Sequence, residues 1–175
     1  MIGQVNVMYN QTISSETKAV CPGSFDPVTN GHIDIIERTA QLFPAVVVGV
    51  IQNPSKKPLF SLEERVHLLK LVLNHLPNVE VYYFSGLLVD FVSQVRGNLI
   101  VKGLRAISDF EIEFQMALIN KRMAPGIETM FMTTKNEYSF LSSSMAKELA
   151  QLGGDLSGLV PPEVEKALLE KYKKL

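Results

Sequence analysis

The sequence predicts a doubly wound α/β domain built on a five-stranded parallel sheet, and three observations carry that prediction. Short β-branched apolar runs alternate with stretches whose apolar residues recur at helical spacing. One run, Ala45 to Ile51 (Ala-Val-Val-Val-Gly-Val-Ile), is almost continuously apolar, as a strand covered on both faces must be. No internal repeat and no Gly- or Ser-rich linker divides the 175 residues, a length usual for one domain.

Taken in order, Ala19-Val20-Cys21 is the first buried run, stopped by Pro22-Gly23. Ile33, Ile36 and Ala40 then share one face of a helix. After the Ala45 to Ile51 strand, Ser61-Leu62-Glu63-Glu64 forms a capping box: the Ser61 hydroxyl can accept from the Glu64 amide while Glu64 reaches back. Leu62, Val66, Leu69 and Leu73 continue that helix. Val79 to Phe84, Leu99-Ile100-Val101 and Glu128 to Thr134 are the remaining strands. Phe110, Phe114, Ala117 and Leu118 mark a helix, and Ser142-Ser143-Ser144 caps another. Pro161-Pro162 opens the last helix, Glu163 to Tyr172, because proline suits a first helical turn. Strands alternating with helices imply parallel pairing through right-handed crossovers, a Rossmann-like arrangement. The domain is expected to span residues 18–175, with 1–17 as a flexible extension.

Composition narrows the function classes. Hydrophobic residues make up 46% and charged residues 20%, so a packed core is expected rather than a disordered chain. A net charge of -1 lacks the basic excess of a nucleic-acid binder, and no nucleic-acid partner is expected. There is no apolar run of about 18 residues to span a membrane. The polar start from Met1 to Glu16 does not read as a secretion signal. The single cysteine, Cys21, excludes an intramolecular disulfide and reads as a small apolar strand residue. A cytoplasmic protein is expected.

In an open α/β sheet, ligands bind beyond the carboxyl ends of the strands. The first such exit is Pro22-Gly23-Ser24-Phe25-Asp26-Pro27-Val28-Thr29-Asn30-Gly31-His32. Gly23 permits close backbone approach, Ser24 offers a hydroxyl and an amide, and the next helix is expected to present unpaired amides to an anion. His32, in that helix's first turn, can face a phosphate. The spacings of a Walker A loop and of Gly-x-Gly-x-x-Gly are absent. A Gly- and Pro-rich loop alone is more often structural. His67 and His75, isolated on and beside a helix, read as structural.

Ser24-Phe25-Asp26-Pro27 followed by Gly31-His32 resembles the nucleotide-binding pattern of the nucleotidyltransferase superfamily, itself related to the HIGH motif of class I aminoacyl-tRNA synthetases. Within it, Pro22 to Ile36 is similar to the phosphopantetheine adenylyltransferase family. The resemblance runs from about Ala19 to the last helix through three further blocks: Asn53-Pro54-Ser55-Lys56-Lys57-Pro58 with Phe60 to Arg65, Ile100 to Ala106 with Asp109-Phe110-Glu111 and Glu113, and Tyr138 to Ser144. Two positions depart from it. Lys102 stands where many members have arginine, keeping charge but losing a bidentate fork, and Lys147 replaces an arginine common in the superfamily.

The resemblance implies a transfer of the adenylyl group of ATP to 4'-phosphopantetheine, giving dephospho-coenzyme A and pyrophosphate. It implies His32 as transition-state stabiliser and Lys56 as its catalytic partner, while Lys57 reads as a solvated turn residue. Ser24, Phe25, His32, Gly103, Leu104, Arg105, Glu113, Tyr138, Ser139, Phe140, Leu141, Ser142, Ser143 and Ser144 are the implied ATP contacts. Ser24, Lys56, Leu88 and Lys102 are the implied phosphopantetheine contacts. Mg2+ is expected as the cofactor, held mainly through ATP because no carboxylate cage is visible in the sequence. A homohexamer and feedback by coenzyme A are also implied. The acceptor is already an anion near neutral pH, so no general base is required, and catalysis is expected to rest on positioning and electrostatics. Two other readings stay open on the sequence alone: a sister transferase acting on nicotinate mononucleotide or a polyol phosphate, and a nucleotide-binding regulatory module without chemistry.

Overall fold

The structure is a computed structural model and describes residues 17–52, 57–105 and 107–173. Lys56 and all but the last residue of the expected N-terminal extension lie outside the described residues. The elements run β1 (Lys18–Gly23), α1 (Asn30–Leu42), β2 (Ala45–Ile51), α2 (Leu62–Val72), β3 (Val79–Phe84), α3 (Leu88–Gln94), β4 (Leu99–Leu104), α4 (Ile107–Met123), β5 (Glu128–Thr133), α5 (Ser143–Gln151) and α6 (Pro162–Lys173). A 3-10 turn covers Asn136–Tyr138. The expected α/β fold is present, with one element, α3, that periodicity did not reveal.

All five strands are parallel, in the order β3-β2-β1-β4-β5. β1 pairs with β2 along its length, from Lys18 opposite Ala45 to Gly23 opposite Val50. With β4 it pairs only at Ala19–Leu99 and Val20–Ile100. The sheet is therefore stitched near the amino ends of β1 and β4 and parts toward their carboxyl ends. Chain order reverses at this seam, which is where open α/β sheets bind ligands.

Period-2 alternation divides the core between the two faces. Ala19 and Cys21 of β1 and Val46, Val48 and Val50 of β2 face one cluster, which α1, α2 and α6 cover with Ile35, Ile36, Leu68, Leu69, Val164 and Leu168. Val20, Val47 and Ile100 face the other, covered by Val89, Phe91 and Val92 of α3. Phe91 stacks on Phe84 with centroids 4.3 Å apart, and a Cβ at Gly49 would meet the Phe91 ring at 2.5 Å. The glycine in β2 is thus the space into which α3 docks. Burial pushes the Cys21 thiol up to about 12 against a smaller opposing effect of Thr39, so it remains a protonated core residue.

The capping signals act as the sequence predicts. The Ser61 hydroxyl accepts from the Glu64 amide at 3.3 Å, and the Glu64 carboxylate accepts from the Ser61 amide at 2.7 Å. Ser142 caps α5 by accepting from the Met145 amide at 3.0 Å, and Pro162 is the first residue of α6. Among the described residues, no helix is long and apolar enough to cross a membrane.

Candidate active site

The β1 exit is shaped by a single residue with left-handed backbone. Phe25 has φ 47°, a region non-glycine residues rarely adopt. Its buried ring folds back over Gly23, where an added Cβ would lie 2.8 Å from it. The same ring meets His32 edge-on, with centroids 5.1 Å apart. The loop that carries Ser24 is thereby packed against the side chain at the start of α1.

His32 is fixed by its own helix cap. The Thr29 amide donates to His32 Nδ1 at 3.0 Å, and Thr29 Oγ1 lies 2.8 Å from the same nitrogen. A nitrogen that accepts an amide proton carries none, so the neutral ring has its proton on Nε2. Burial, and then the nearby Arg105 charge, lower the His32 pKa from 6.5 to about 4. At neutral pH the ring is therefore an uncharged Nε2–H donor, with no partner for Nε2 among the described residues.

The amides expected to be open at α1 are largely engaged. The Thr29 amide goes to His32, the Asn30 amide donates to the Leu159 carbonyl at 2.9 Å, and those of His32 and Ile33 turn back to the Thr29 carbonyl. Asn30 Nδ2 adds a bond to the Gly158 carbonyl at 2.8 Å. The donors lie instead at α5. Ser142 Oγ is occupied as the cap and Ser143 Oγ donates to the Pro27 carbonyl at 2.7 Å. The amides of Ser143 and Ser144 precede the first intrahelical bond and remain without intrahelical partners.

β4 contributes the cations. Gly103 lies on α1, since a Cβ there would meet Ile35 at 2.9 Å. Leu104 ends the strand, its carbonyl accepting from the Thr134 amide at 3.1 Å. Arg105 pairs with Asp109 at 2.9 Å and donates to the Leu141 carbonyl at 3.0 Å, tying the β4 exit to the Tyr138–Ser144 segment. Lys102 pairs with Glu113 of α4 at 3.1 Å. Tyr138 packs over Gly31, at 3.3 Å from an added Cβ, while Phe140 is 85% exposed. Ser24 is also exposed, and Ser139 donates to the Asn136 carbonyl.

The structure thus gathers Phe25, His32, Arg105, Leu141 and Ser143 into one linked group at the parted seam. Leu88 begins α3 and packs against the core of the opposite sheet face. Lys56 cannot be placed, because it lies outside the described residues. Three charged residues that sequence reasoning did not assign complete the framework. Arg65 is buried, donating to the carbonyls of Ser24 at 2.8 Å, Ile51 at 3.1 Å and Ser61 at 3.4 Å. The buried Asp26 accepts from the Leu59 and Phe60 amides and from Lys147 at 2.7 Å. The available signals were position and identity: Asp26 lies within the β1 exit, Arg65 closes the second block, and Lys147 stands where the superfamily commonly has arginine.

Among the described residues, no three His, Cys, Asp or Glu side chains cluster as metal ligands. Asp26, Asp109 and Glu113 are each taken up by a cation. What the site offers a ligand is cations, amides and a neutral donor, the complement of a polyphosphate.

Residues 20–149 match the model of the cytidylyltransferase-like family. The chain is 57% identical over 156 residues to a phosphopantetheine adenylyltransferase from Heliobacterium modesticaldum, covering 89% of this chain and 93% of that one. It is equally identical to one from Caldanaerobacter subterraneus subsp. tengcongensis, covering 89% of this chain and 98% of the relative. In fold it resembles a crystal structure assigned as a nicotinate-nucleotide adenylyltransferase from Vibrio parahaemolyticus, with a TM-score of 0.70 at 17% identity over 91% of this chain and 97% of that one.

Proposed function

This chain belongs to the phosphopantetheine adenylyltransferases, within the cytidylyltransferase-like family, and from that premise we infer that it transfers the adenylyl group of ATP to 4'-phosphopantetheine. The products are dephospho-coenzyme A and pyrophosphate, a step of coenzyme A biosynthesis. The observation that carries the acceptor is the 57% identity to named phosphopantetheine adenylyltransferases over 89% of the chain. The neutral His32 donor at the parted seam supports the chemistry.

A phosphate oxygen of phosphopantetheine attacks the α-phosphorus of ATP, a new P–O bond forms, and the bond to the β-phosphate breaks as pyrophosphate leaves. His32 Nε2–H donates to the α-phosphate as charge builds there. Because Nδ1 is already an acceptor, the ring gives a hydrogen bond without having to change tautomer, so its geometry is set before reaction. Lys56 joins His32 at the transferred group. Ser24, Lys56 and Lys102 hold the acceptor phosphate, and Leu88 meets the pantetheine arm. Arg105, with the Ser143 and Ser144 amides at the start of α5 and the Ser142 cap that frames them, holds the leaving β- and γ-phosphates. Phe25, Gly103, Leu104, Glu113 and the Tyr138–Leu141 segment enclose the nucleoside. Mg2+, if bound, would be held mainly through ATP oxygens and would supply charge neutralisation there, since the nearby carboxylates Asp26, Asp109 and Glu113 are paired with cations.

A homohexamer, feedback by coenzyme A and a cytoplasmic location complete the proposal. The exposed apolar side chains of α4 support self-association.

The test is pyrophosphate release by the purified full chain with ATP, Mg2+ and one acceptor at a time. Phosphopantetheine should support turnover, while nicotinate mononucleotide and a polyol phosphate should not. His32→Ala should lower kcat by about 10²–10³ with ATP binding retained. Turnover with another acceptor alone, or near-normal kcat in the variant, overturns the reading.

A further inference from the structure

Two helix starts frame the site, and a polyphosphate would have to meet both. His32 stands at the start of α1, and the open Ser143 and Ser144 amides stand at the start of α5. The chain between them is long, so something other than sequence proximity must fix their spacing. Two contacts do so. Ser143 Oγ donates to the Pro27 carbonyl at 2.7 Å, and Lys147, one turn into α5, reaches the Asp26 carboxylate at 2.7 Å.

Asp26 is the more constrained partner. Its residue is 7% exposed, and its Oδ1 accepts from the Phe60 amide at 2.9 Å. Its Oδ2 accepts from both the Leu59 amide at 3.0 Å and Lys147. The carboxylate therefore joins three segments: the β1 exit, the residues entering α2, and α5. The Lys147 side chain is only 24% exposed. Its charge is directed at Asp26, not at the open α5 amides where an anion would bind.

We propose that the Asp26–Lys147 ion pair is a positioning device that sets the spacing between His32 and the α5 start, so that adjacent phosphates of one nucleotide are gripped together. Neither residue touches the reacting atoms. The inference rests on the ATP-binding part of the proposed function but not on the identity of the acceptor. It makes a specific demand. ATP spans both helix starts, whereas AMP reaches only the His32 side. Loosening the pair should therefore weaken ATP and spare AMP.

The experiment is calorimetric titration of the full chain with ATP and, separately, with AMP. The variants are Lys147→Met, Lys147→Arg, Asp26→Asn and the double variant Asp26→Asn/Lys147→Met. Lys147→Met and Asp26→Asn should each weaken ATP by about tenfold, and the double variant should be no weaker than either, because the same contact is lost in all three. AMP affinity should stay within about twofold, and Lys147→Arg should recover most of the loss. An Asp26→Asn variant that binds ATP as tightly as the parent, or more tightly, would mean that Lys147 serves the phosphates directly, and overturns the proposal. Additive losses overturn it too, as does equal weakening of ATP and AMP in Lys147→Met, the mark of a merely structural role. Failure of the parent chain to turn over phosphopantetheine would instead strike the proposed acceptor, leaving the ATP and AMP titrations to judge the ion pair.

Discussion

At the scale of single residues, His32 is a donor because its fold forbids it to be a cation. Protonation at Nδ1 would set an N–H against the Thr29 amide that now donates to it. Burial and the Arg105 charge act in the same direction. The consequence for pH is definite in sign. Above pH 6.5 the ring is neutral whether folded or unfolded, and the stability it contributes is fully present; this is lost as pH falls through 6.5 toward about 4, where the folded ring takes up its proton. An NMR titration of the His32 ring should show a midpoint near 4, and a midpoint at 6 or above would refute the assignment. Arg65 makes the complementary case. Its guanidinium serves three carbonyls, so Arg65→Ala leaves buried acceptors unpaired and should destabilise by about 2–4 kcal/mol in urea unfolding. A loss under about 1 kcal/mol would show that water replaces it.

At the scale of elements, legibility followed the length and exposure of each signal. The strand Ala45–Ile51 was plain because a continuous β-branched run has few alternatives. The Ser61 and Ser142 caps were plain because a cap is a local bond between residues three apart. The helix Leu88–Gln94 escaped because seven residues hold too few turns to establish a period. What fixes it is remote: Phe91 seats over Gly49 of β2. Gly49→Ala should therefore force apart the Phe84–Phe91 stack and cost about 1–3 kcal/mol in denaturant unfolding, whereas an unchanged midpoint would mean that α3 docks by other contacts. In the site, the loop and His32 were legible from the motif. The engagement of Asn30 at the start of α1 was not, because the Leu159 carbonyl that takes its amide and the Gly158 carbonyl that takes its side chain lie about 130 positions away in sequence. The pairing of Asp26 with Lys147 was hidden for the same reason.

At the scale of the whole molecule, α4 presents a broad exposed apolar surface. Phe110, Ile112, Phe114, Met116, Leu118, Ile119 and Met123 are all more than 40% exposed. A helix apolar on so many sides is normally covered. The proposed homohexamer supplies a cover, and Ile112→Asp combined with Leu118→Asp should reduce the assembly to smaller species in sedimentation analysis. A parent chain that sediments as a monomer would remove that proposal. The helix also carries Glu113, the partner of Lys102, so the proposed assembly and the proposed acceptor side of the site share one element.

The bonds from Asn30 to Gly158 and Leu159 have a consequence in time. A chain emerges from the ribosome amino end first, so Asn30 appears well before Gly158 and Leu159. The Asn30 donors nevertheless wait for carbonyls made 128 residues or more later in the chain. Until those residues clear the exit tunnel, the Asn30 bonds beside His32 cannot form, so the start of α1 in the candidate site is completed only after the segment that precedes α6 has been made.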